Sequence, residues 1–137
     1  MRKVYLDAES LDLVLVPTRP EYEFVFIQTE GKCIANIKLK PFPNTKFKVK
    51  IYIYAEGTSE VDCVCTLDVP KDVSGVETDI QIRSWPFDKS KIKARPEMFI
   101  ANHGNALGTL KPEDKYYLDS RGITNYKELV KQSLLNA

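Results

Sequence analysis

The chain has 137 residues, of which 43% are hydrophobic and 28% are charged, and its formal net charge at pH 7 is +1. This composition excludes a disordered or fibrous protein and fits one globular domain with its own hydrophobic core. The small net charge also removes the domain-wide basic excess that is typical of nonspecific nucleic-acid binders, so any such binding requires a local patch.

Short runs of alternating apolar and polar residues, separated by turn residues and by most of the eight prolines, predict an all-β chain. The runs recur about every ten residues, which is typical of a sandwich or a barrel. We therefore expect a single antiparallel β-sandwich or partly open barrel of seven or eight strands with a C-terminal α-helix. The predicted strands lie near residues 3–6, 11–16, 22–28, 33–40, 46–55, 61–69, 76–84 and 92–101.

Two early strands break the alternation because they are apolar on both faces. In the first, Val14 and Val16 oppose three leucines, and in the second, Val25 and Ile27 oppose aromatic residues. A strand that is apolar on both faces is expected to be covered twice. The second cover would be either the C-terminal helix of the same chain or another subunit.

The β domain is expected over residues 1–102, followed in the same domain by a loop or arm and an amphipathic helix at about 124–135. The segment 103–122 contains three of the six glycines, and structureless loops of this length tend to be functional. A helix of about a dozen residues is marginal alone in water, so it needs a docking surface. Its apolar stripe consists of Ile123, Tyr126, Val130 and Leu134.

These features favour a non-enzymatic protein–protein interaction or assembly module. An example is an accessory structural subunit of a larger particle, such as a virion or a surface or secretion assembly. The expected partner is another protein or a second copy of the chain. The candidate interface residues are Val14, Val16, Val25, Ile27, Tyr116, Tyr117, Ile123, Tyr126, Val130 and Leu134.

A face rich in lysine and tyrosine supports an alternative function, the binding of single-stranded nucleic acid or another anionic polymer. If residues 33–40 and 46–54 form a hairpin, their lysines and tyrosines point to one side, where lysines neutralise phosphates and aromatic rings stack on bases. A solvated face whose lysines pair with acidic residues of later strands is the simpler interpretation. The residues of this face are Lys38, Lys40, Lys46, Lys48, Lys50, Tyr52 and Tyr54.

The sequence contains no convincing catalytic or metal motif, so we expect no cofactor and favour a protein that is not an enzyme. Cys33, Cys63 and Cys65 lack both a fourth ligand and the Cys-x-x-Cys spacing of structural zinc, and are expected in the core. The single histidine, His103, has no recognisable nucleophile or orienting carboxylate. Trp85 is interpreted as a lid on the core in preference to an exposed interface residue.

Cysteine usage and the N-terminal residues indicate the cellular compartment. An odd number of cysteines, two of which fall two positions apart on one predicted strand, disfavours a disulfide framework. Residues 1–7 lack the apolar stretch of a signal peptide, and no run is long enough to span a membrane. We therefore expect an intracellular, cytoplasmic protein, or one incorporated into a particle assembled there, with no membrane partner.

Overall fold

The computed structural model describes residues 1–100, 106–113 and 126–136, and these residues form nine strands and one helix. The elements are β1 Arg2–Leu6, β2 Ser10–Leu15, β3 Glu21–Gln28, β4 Lys32–Leu39, β5 Lys46–Ala55, β6 Glu60–Val69, β7 Val76–Pro86, β8 Lys91–Ile100, β9 Ala106–Glu113 and α1 Tyr126–Asn136.

The strands form two parallel sheets. Sheet A has the order β1-β3-β5-β7-β9, and sheet B has the order β2-β4-β6-β8. Every neighbouring pair within a sheet is parallel. The chain therefore alternates between the two sheets and winds as a β-solenoid. The strand that intervenes in the other sheet serves as the long crossover that two parallel neighbours require.

The predicted antiparallel β-sandwich or partly open barrel is therefore wrong. Residues 33–40 and 46–54 do not form a hairpin, because β4 pairs with β2 and β6 whereas β5 pairs with β3 and β7. Side chains alternate with the same period of two in parallel and antiparallel strands. A short turn likewise either closes a hairpin or carries the chain to the opposite sheet, so neither signal distinguishes the two folds.

The hydrophobic core lies between the sheets and is built mainly by the inward-facing residues of strands β1 to β8. Ile51 of β5 and Leu67 of β6 have no exposed surface. Cys33, Cys63 and Cys65 are unbridged and buried in the same core. Burial raises the pKa of each of these thiols, and that of Cys65 reaches about 12. The cysteines therefore pack as small hydrophobic residues.

The turns of the solenoid stack at two corners, where the backbone adopts positive φ. At one corner, Asp7 accepts hydrogen bonds at Oδ1 from the Thr29 and Glu30 amides, at 2.6 and 3.3 Å. At the other corner, Gly75 lies against Asn44, so that an added Cβ would overlap the Asn44 side-chain oxygen. Residues with positive φ suit such tight turns. They are Asp7, Gly31, Gly57 and Asp88 at the first corner and Asn44 and Gly75 at the second.

The solenoid narrows towards its N-terminus. Arg2 lies beside Glu23, so the first turn takes 21 residues, whereas Lys46 lies beside Glu77, so a later turn takes 31. Strand length changes in the same way, from five residues in β1 to eleven in β7. Because the period changes from turn to turn, the sequence shows no regular internal repeat.

Helix α1 packs on the outer face of sheet A. Leu134 is buried with Val25, Ile27 and Tyr54, and Val130 packs against this cluster. Arg2 Nη2 donates a hydrogen bond to the Leu134 carbonyl at the C-terminal end of the helix. At the other end, Lys127 Nζ lies 3.1 Å from Asp88 Oδ2 and Lys131 Nζ lies 2.9 Å from Glu56 Oε1. The helix therefore crosses sheet A from the turn after β7 to strand β1.

The segment 103–122, expected to be a loop or arm, contains a strand. Ala106–Glu113 forms β9 and pairs with β7. His103, Tyr116, Tyr117 and Ile123 lie outside the described residues. Within the portion of the chain that the structure describes, no helix has the length and apolar character needed to cross a membrane.

Candidate interaction surface at the N-terminal edge

Both sheets end at what we call the N-terminal edge, which consists of the outer edges of β1 and β2. In sheet A, Glu23 N donates to Met1 O and Asp7 N donates to Ile27 O, so the odd-numbered residues of β1 bond to β3. Because the bonding direction alternates along a parallel strand, the N–H and C=O groups of the even-numbered residues lie in the plane of the sheet and point away from β3. These residues are Arg2, Val4 and Leu6.

Strand β2 repeats this arrangement in sheet B. Ile34 N donates to Glu9 O and Lys40 N donates to Leu15 O, so the odd-numbered residues of β2 bond to β4. Neither β1 nor β2 has a second neighbouring strand among the described residues. Within the part of the chain that the structure describes, the N-terminal edge is therefore open in both sheets. The backbone groups that point outward from β2 belong to Ser10, Asp12 and Val14.

Apolar side chains surround these open backbone groups. Leu6 is 60% exposed and Val14 is 65% exposed, and Val4 and Val16 are exposed as well. Inside the first turn, Tyr5 and three leucines of β2 are only partly buried, whereas the inward-facing residues of β4 are fully buried. The end of the core is therefore accessible. The three leucines are Leu11, Leu13 and Leu15.

The C-terminal strands differ because each carries a proline at its outer edge. Lys91 N donates to Ser59 O, so the odd-numbered residues of β8 bond to β6, and Pro96 occupies an outward position. In sheet A the same alternation places Pro112 of β9 away from β7. Proline has no N–H to donate and is typical of edges that do not extend. Strands β1 and β2 contain no proline.

The predicted protein-interface residues fall in different places. Val14 and Val16 lie at the N-terminal edge, on or just after β2. Val25 and Ile27 are buried beneath α1, where they meet Val130 and Leu134 of the same chain. Tyr126 is the first residue of the helix.

The lysine and tyrosine set does not form one surface. Lys38 of β4 belongs to the outer face of sheet B, and Lys40 lies directly after the end of that strand. The other members lie on the outer face of sheet A, on the opposite side of the solenoid. They are Lys46, Lys48, Lys50, Tyr52 and Tyr54, all in β5.

Acidic residues lie beside the lysines of sheet A. Lys50 Nζ lies 3.0 Å from Glu21 Oε1, and Lys46 Nζ lies 3.7 Å from Glu77 Oε2. Lys48 lies in register between Glu21 on β3 and Asp79 on β7. Positive and negative side chains therefore alternate across the strands, which cancels much of the potential that would attract an anionic polymer.

Tyr54 lies beneath the helix in an unfavourable environment for a polar group. Its hydroxyl has no hydrogen-bond partner among the described residues, and Lys131 Nζ lies 5.9 Å from the ring centroid. Burial raises the pKa of Tyr54, and the nearby carboxylates of Glu56 and Glu128 raise it further.

Trp85 lies in the same cluster with its ring centroid 6.1 Å from that of Tyr52, so it covers the outer face of sheet A and not the core between the sheets.

We expect Tyr54→Phe to increase the free energy of unfolding at pH 7 by about 1 kcal/mol, because it removes a buried hydroxyl without a partner. The unfolded tyrosine titrates near pH 10, and burial raises the pKa of Tyr54 in the folded protein, so the parent protein loses stability as the pH rises beyond 10 because the unfolded state ionises first. Urea unfolding at pH 7 and at about pH 10.5 should show a smaller alkaline loss for the variant. An equal loss in both proteins would contradict this role of Tyr54.

A groove of about 400 Å³ lies beside the N-terminal edge on the outer face of sheet B, where Asp12 and Val14 meet Asn36, Lys38 and Thr66. Asn36 Nδ2 donates a hydrogen bond to Asp12 Oδ1 at 3.2 Å, which links the side chains of β4 and the edge strand β2. Among the described residues, no group of three or more histidine, cysteine, aspartate or glutamate side chains is arranged to hold a metal ion.

Sequence reasoning missed Val4 and Leu6 as candidate interface residues. The run 2–6 is short and carries charge at its start, and no local signal marks it as an edge strand of a parallel sheet. Edge position follows from the order of strands in the sheet, which the sequence pattern does not encode.

No family model matches the chain, and neither a curated protein nor a solved structure shows significant similarity to it.

Proposed function

We propose that this chain is a non-enzymatic protein-interaction module that works by strand addition at its N-terminal edge, as an accessory structural subunit of a larger assembly. The observation that carries the proposal is the difference between the two ends of the solenoid. The N-terminal edge presents outward N–H and C=O groups in both sheets, flanked by exposed Val4, Leu6 and Val14, whereas β8 and β9 each carry a proline.

Strand addition uses the physical properties of this edge directly. An added strand bonds to the outward backbone groups, which supplies affinity, and its side chains contact the alternating residues of the edge strand, which supplies specificity. At β2, an added strand would also cover the partly buried end of the core at Leu11, Leu13 and Leu15. Covering these residues is favourable because it removes apolar surface from water.

The test uses a synthetic peptide with the sequence of residues 9–16, which is a natural edge strand of this fold. We expect the peptide to slow amide hydrogen exchange of Val14 and Asp12, or of Val4 and Leu6, by about tenfold or more, because these amides become bonded. The measurement is residue-resolved amide exchange on the full chain, diluted until it is monomeric so that no second copy occupies the edge.

Two controls make the result specific. A peptide in which alternate residues are replaced by proline should give no protection, because it cannot bond along one edge. The Val14→Pro variant of the protein should lose any protection that the peptide gives to β2 and keep any that it gives to β1. No slowing at either strand, at any peptide concentration that stays in solution, would reject strand addition as the function.

A further inference from the structure

We propose that the partner at the N-terminal edge is the N-terminal edge of a second copy of this chain, in a two-fold dimer whose sheets continue from one copy into the other. This inference rests on the proposed function, because it names the occupant of the strand-addition site. The occupant has to satisfy two edges at once, since β1 and β2 end the two sheets at the same end of the solenoid. A single extended peptide covers one edge, whereas a second N-terminal edge offers two strands with matching separation.

The lengths of the edge strands favour contact with the N-terminal end of the second copy over contact with its C-terminal end. Strands β1 and β2 have five and six residues, and the first turn takes 21 residues from Arg2 to Glu23. At the other end, β8 has ten residues, and Pro96 and Pro112 remove an outward N–H from each strand. Head-to-tail stacking would therefore join ends of unequal width and lose hydrogen bonds, whereas two N-terminal ends match.

A two-fold axis perpendicular to the solenoid makes the joined strands antiparallel, which suits the charges of β1. The strand begins with Arg2 and Lys3 and is followed directly by Asp7, so reversal brings its basic end beside Asp7 of the second copy. In the register that places Lys3 opposite Asp7 of the second copy, Val4 lies opposite Leu6. This register pairs outward-facing backbone groups with each other, as an antiparallel ladder requires.

The side chain of Asp7 is already positioned for this contact. Its Oδ1 accepts a hydrogen bond from the Thr29 amide and its Oδ2 accepts one from the Thr29 hydroxyl at 2.8 Å. The carboxylate is therefore held at the corner of the first turn while it stays exposed. Lys3 is also exposed. A charge that is already fixed in place loses little conformational freedom when its partner arrives.

Sedimentation velocity of the full chain, from about 1 to 100 µM, tests the association. We expect a reversible equilibrium between monomer and dimer with no larger species, because a two-fold contact uses up the open edge of both copies. A chain that stays monomeric throughout would reject the dimer. Species that keep growing with concentration would reject the two-fold arrangement in favour of head-to-tail stacking.

Proline substitution at outward positions tests which surface is used. The double variant Val4→Pro and Val14→Pro removes two outward N–H groups and leaves the bonds from β1 to β3 and from β2 to β4 in place. We expect the dimer dissociation constant to rise by about a hundredfold, while the circular dichroism spectrum stays that of the parent protein. Dimers as tight as those of the parent protein would contradict the proposal.

A second pair of variants covers the case in which the proline variant does not fold. Val14→Lys places a charge at the open edge, and Ile34→Lys places the same charge on the neighbouring strand of the same face, where the residue is also exposed. We expect Val14→Lys to weaken the dimer by about tenfold and Ile34→Lys to leave it nearly unchanged. Equal effects of the two lysines would show that the edge is not the contact.

Cysteine cross-linking tests the register. Chains carrying Val4→Cys and chains carrying Leu6→Cys should form a disulfide-linked dimer much faster when mixed than either does alone, because residue 4 lies opposite residue 6 of the second copy. The native cysteines do not compete, since all three are buried and burial raises their pKa. No preference for the mixture would reject this register.

The outcomes separate this inference from the proposed function. A chain that remains monomeric but still binds the peptide of residues 9–16 keeps strand addition and rejects the second copy as its partner. A monomeric chain that does not bind the peptide rejects both.

Discussion

Replacing Leu67 with alanine is expected to lower the free energy of unfolding by about 2–5 kcal/mol, the range observed for buried leucines. Leu67 lies in the core with no exposed surface, in register with the equally buried Leu39 of β4. The structure therefore has little freedom to close the cavity. Chemical denaturation, with a check that the slope against denaturant is unchanged, measures the loss.

Val64→Ala is the matched control for this change. Val64 lies three residues earlier in the same strand but faces outward, where it is only partly buried. The same kind of truncation should cost less than about 1 kcal/mol there, because less apolar surface leaves water on folding and no enclosed cavity forms. Similar losses at both positions would contradict the division of β6 into a core side and a solvent side.

Gly75→Ala should destabilise the protein by about 3 kcal/mol, through two separate effects. The first is the backbone conformation, since φ is +72° at Gly75, a value that alanine adopts with strain. The second is contact between stacked turns, because the new Cβ would overlap the Asn44 side-chain oxygen and lie 3.3 Å from the Asn44 Cα. Thermal and urea unfolding of the purified variant measure the sum.

Two variants separate these effects. Gly31 has the same φ of +72° but nothing within 4 Å of an added Cβ, so Gly31→Ala should show the backbone cost alone, about 1 kcal/mol. Adding Asn44→Gly to Gly75→Ala should restore most of the difference between the two alanine variants, because the overlapping side chain is gone. If Gly31→Ala proves as costly as Gly75→Ala, stacking of the turn at Asn44 on the turn at Gly75 is not what makes Gly75 necessary.

The sequence predicted local structure well where the pattern depends on burial within a single strand. The alternation in residues 46–55 and 61–69 assigned inward residues such as Ile51 and Cys63 to the core, and both are fully buried. Residues 22–27, apolar on both faces, are covered on one side by the core and on the other by α1, which packs on Val25 and Ile27. Burial favours an apolar residue at each buried position, so these features can be inferred from the sequence.

The pairing of strands was not predictable in the same way. A sandwich, a barrel and a solenoid all bury every second residue, so Phe47 and Leu39 look the same in each. The turn residues Gly57 and Asp88 need positive φ whether the chain forms a hairpin or crosses to the other sheet. A regular repeat would have indicated a solenoid, but the turns lengthen from 21 to 31 residues and hide it.

The candidate site was only partly predictable for the same reason. Val14 and Val16 stood out because they are apolar where a polar residue is expected, and the structure places them at an open edge. Val4 and Leu6 gave no such signal. The lysine set was assembled on the assumption of a hairpin, and the parallel topology divides it between opposite faces of the solenoid.

Amide hydrogen exchange in β1 and β2 of the dilute, monomeric chain tests the open N-terminal edge most directly. The structure predicts alternation, with slow exchange at Tyr5, Leu11 and Leu13, whose amides bond to the neighbouring strand, and fast exchange at Val4 and Val14, whose amides point outward. Uniformly slow exchange along both strands, or slow exchange at the even-numbered residues of the monomer, would contradict an open edge and the function proposed for it.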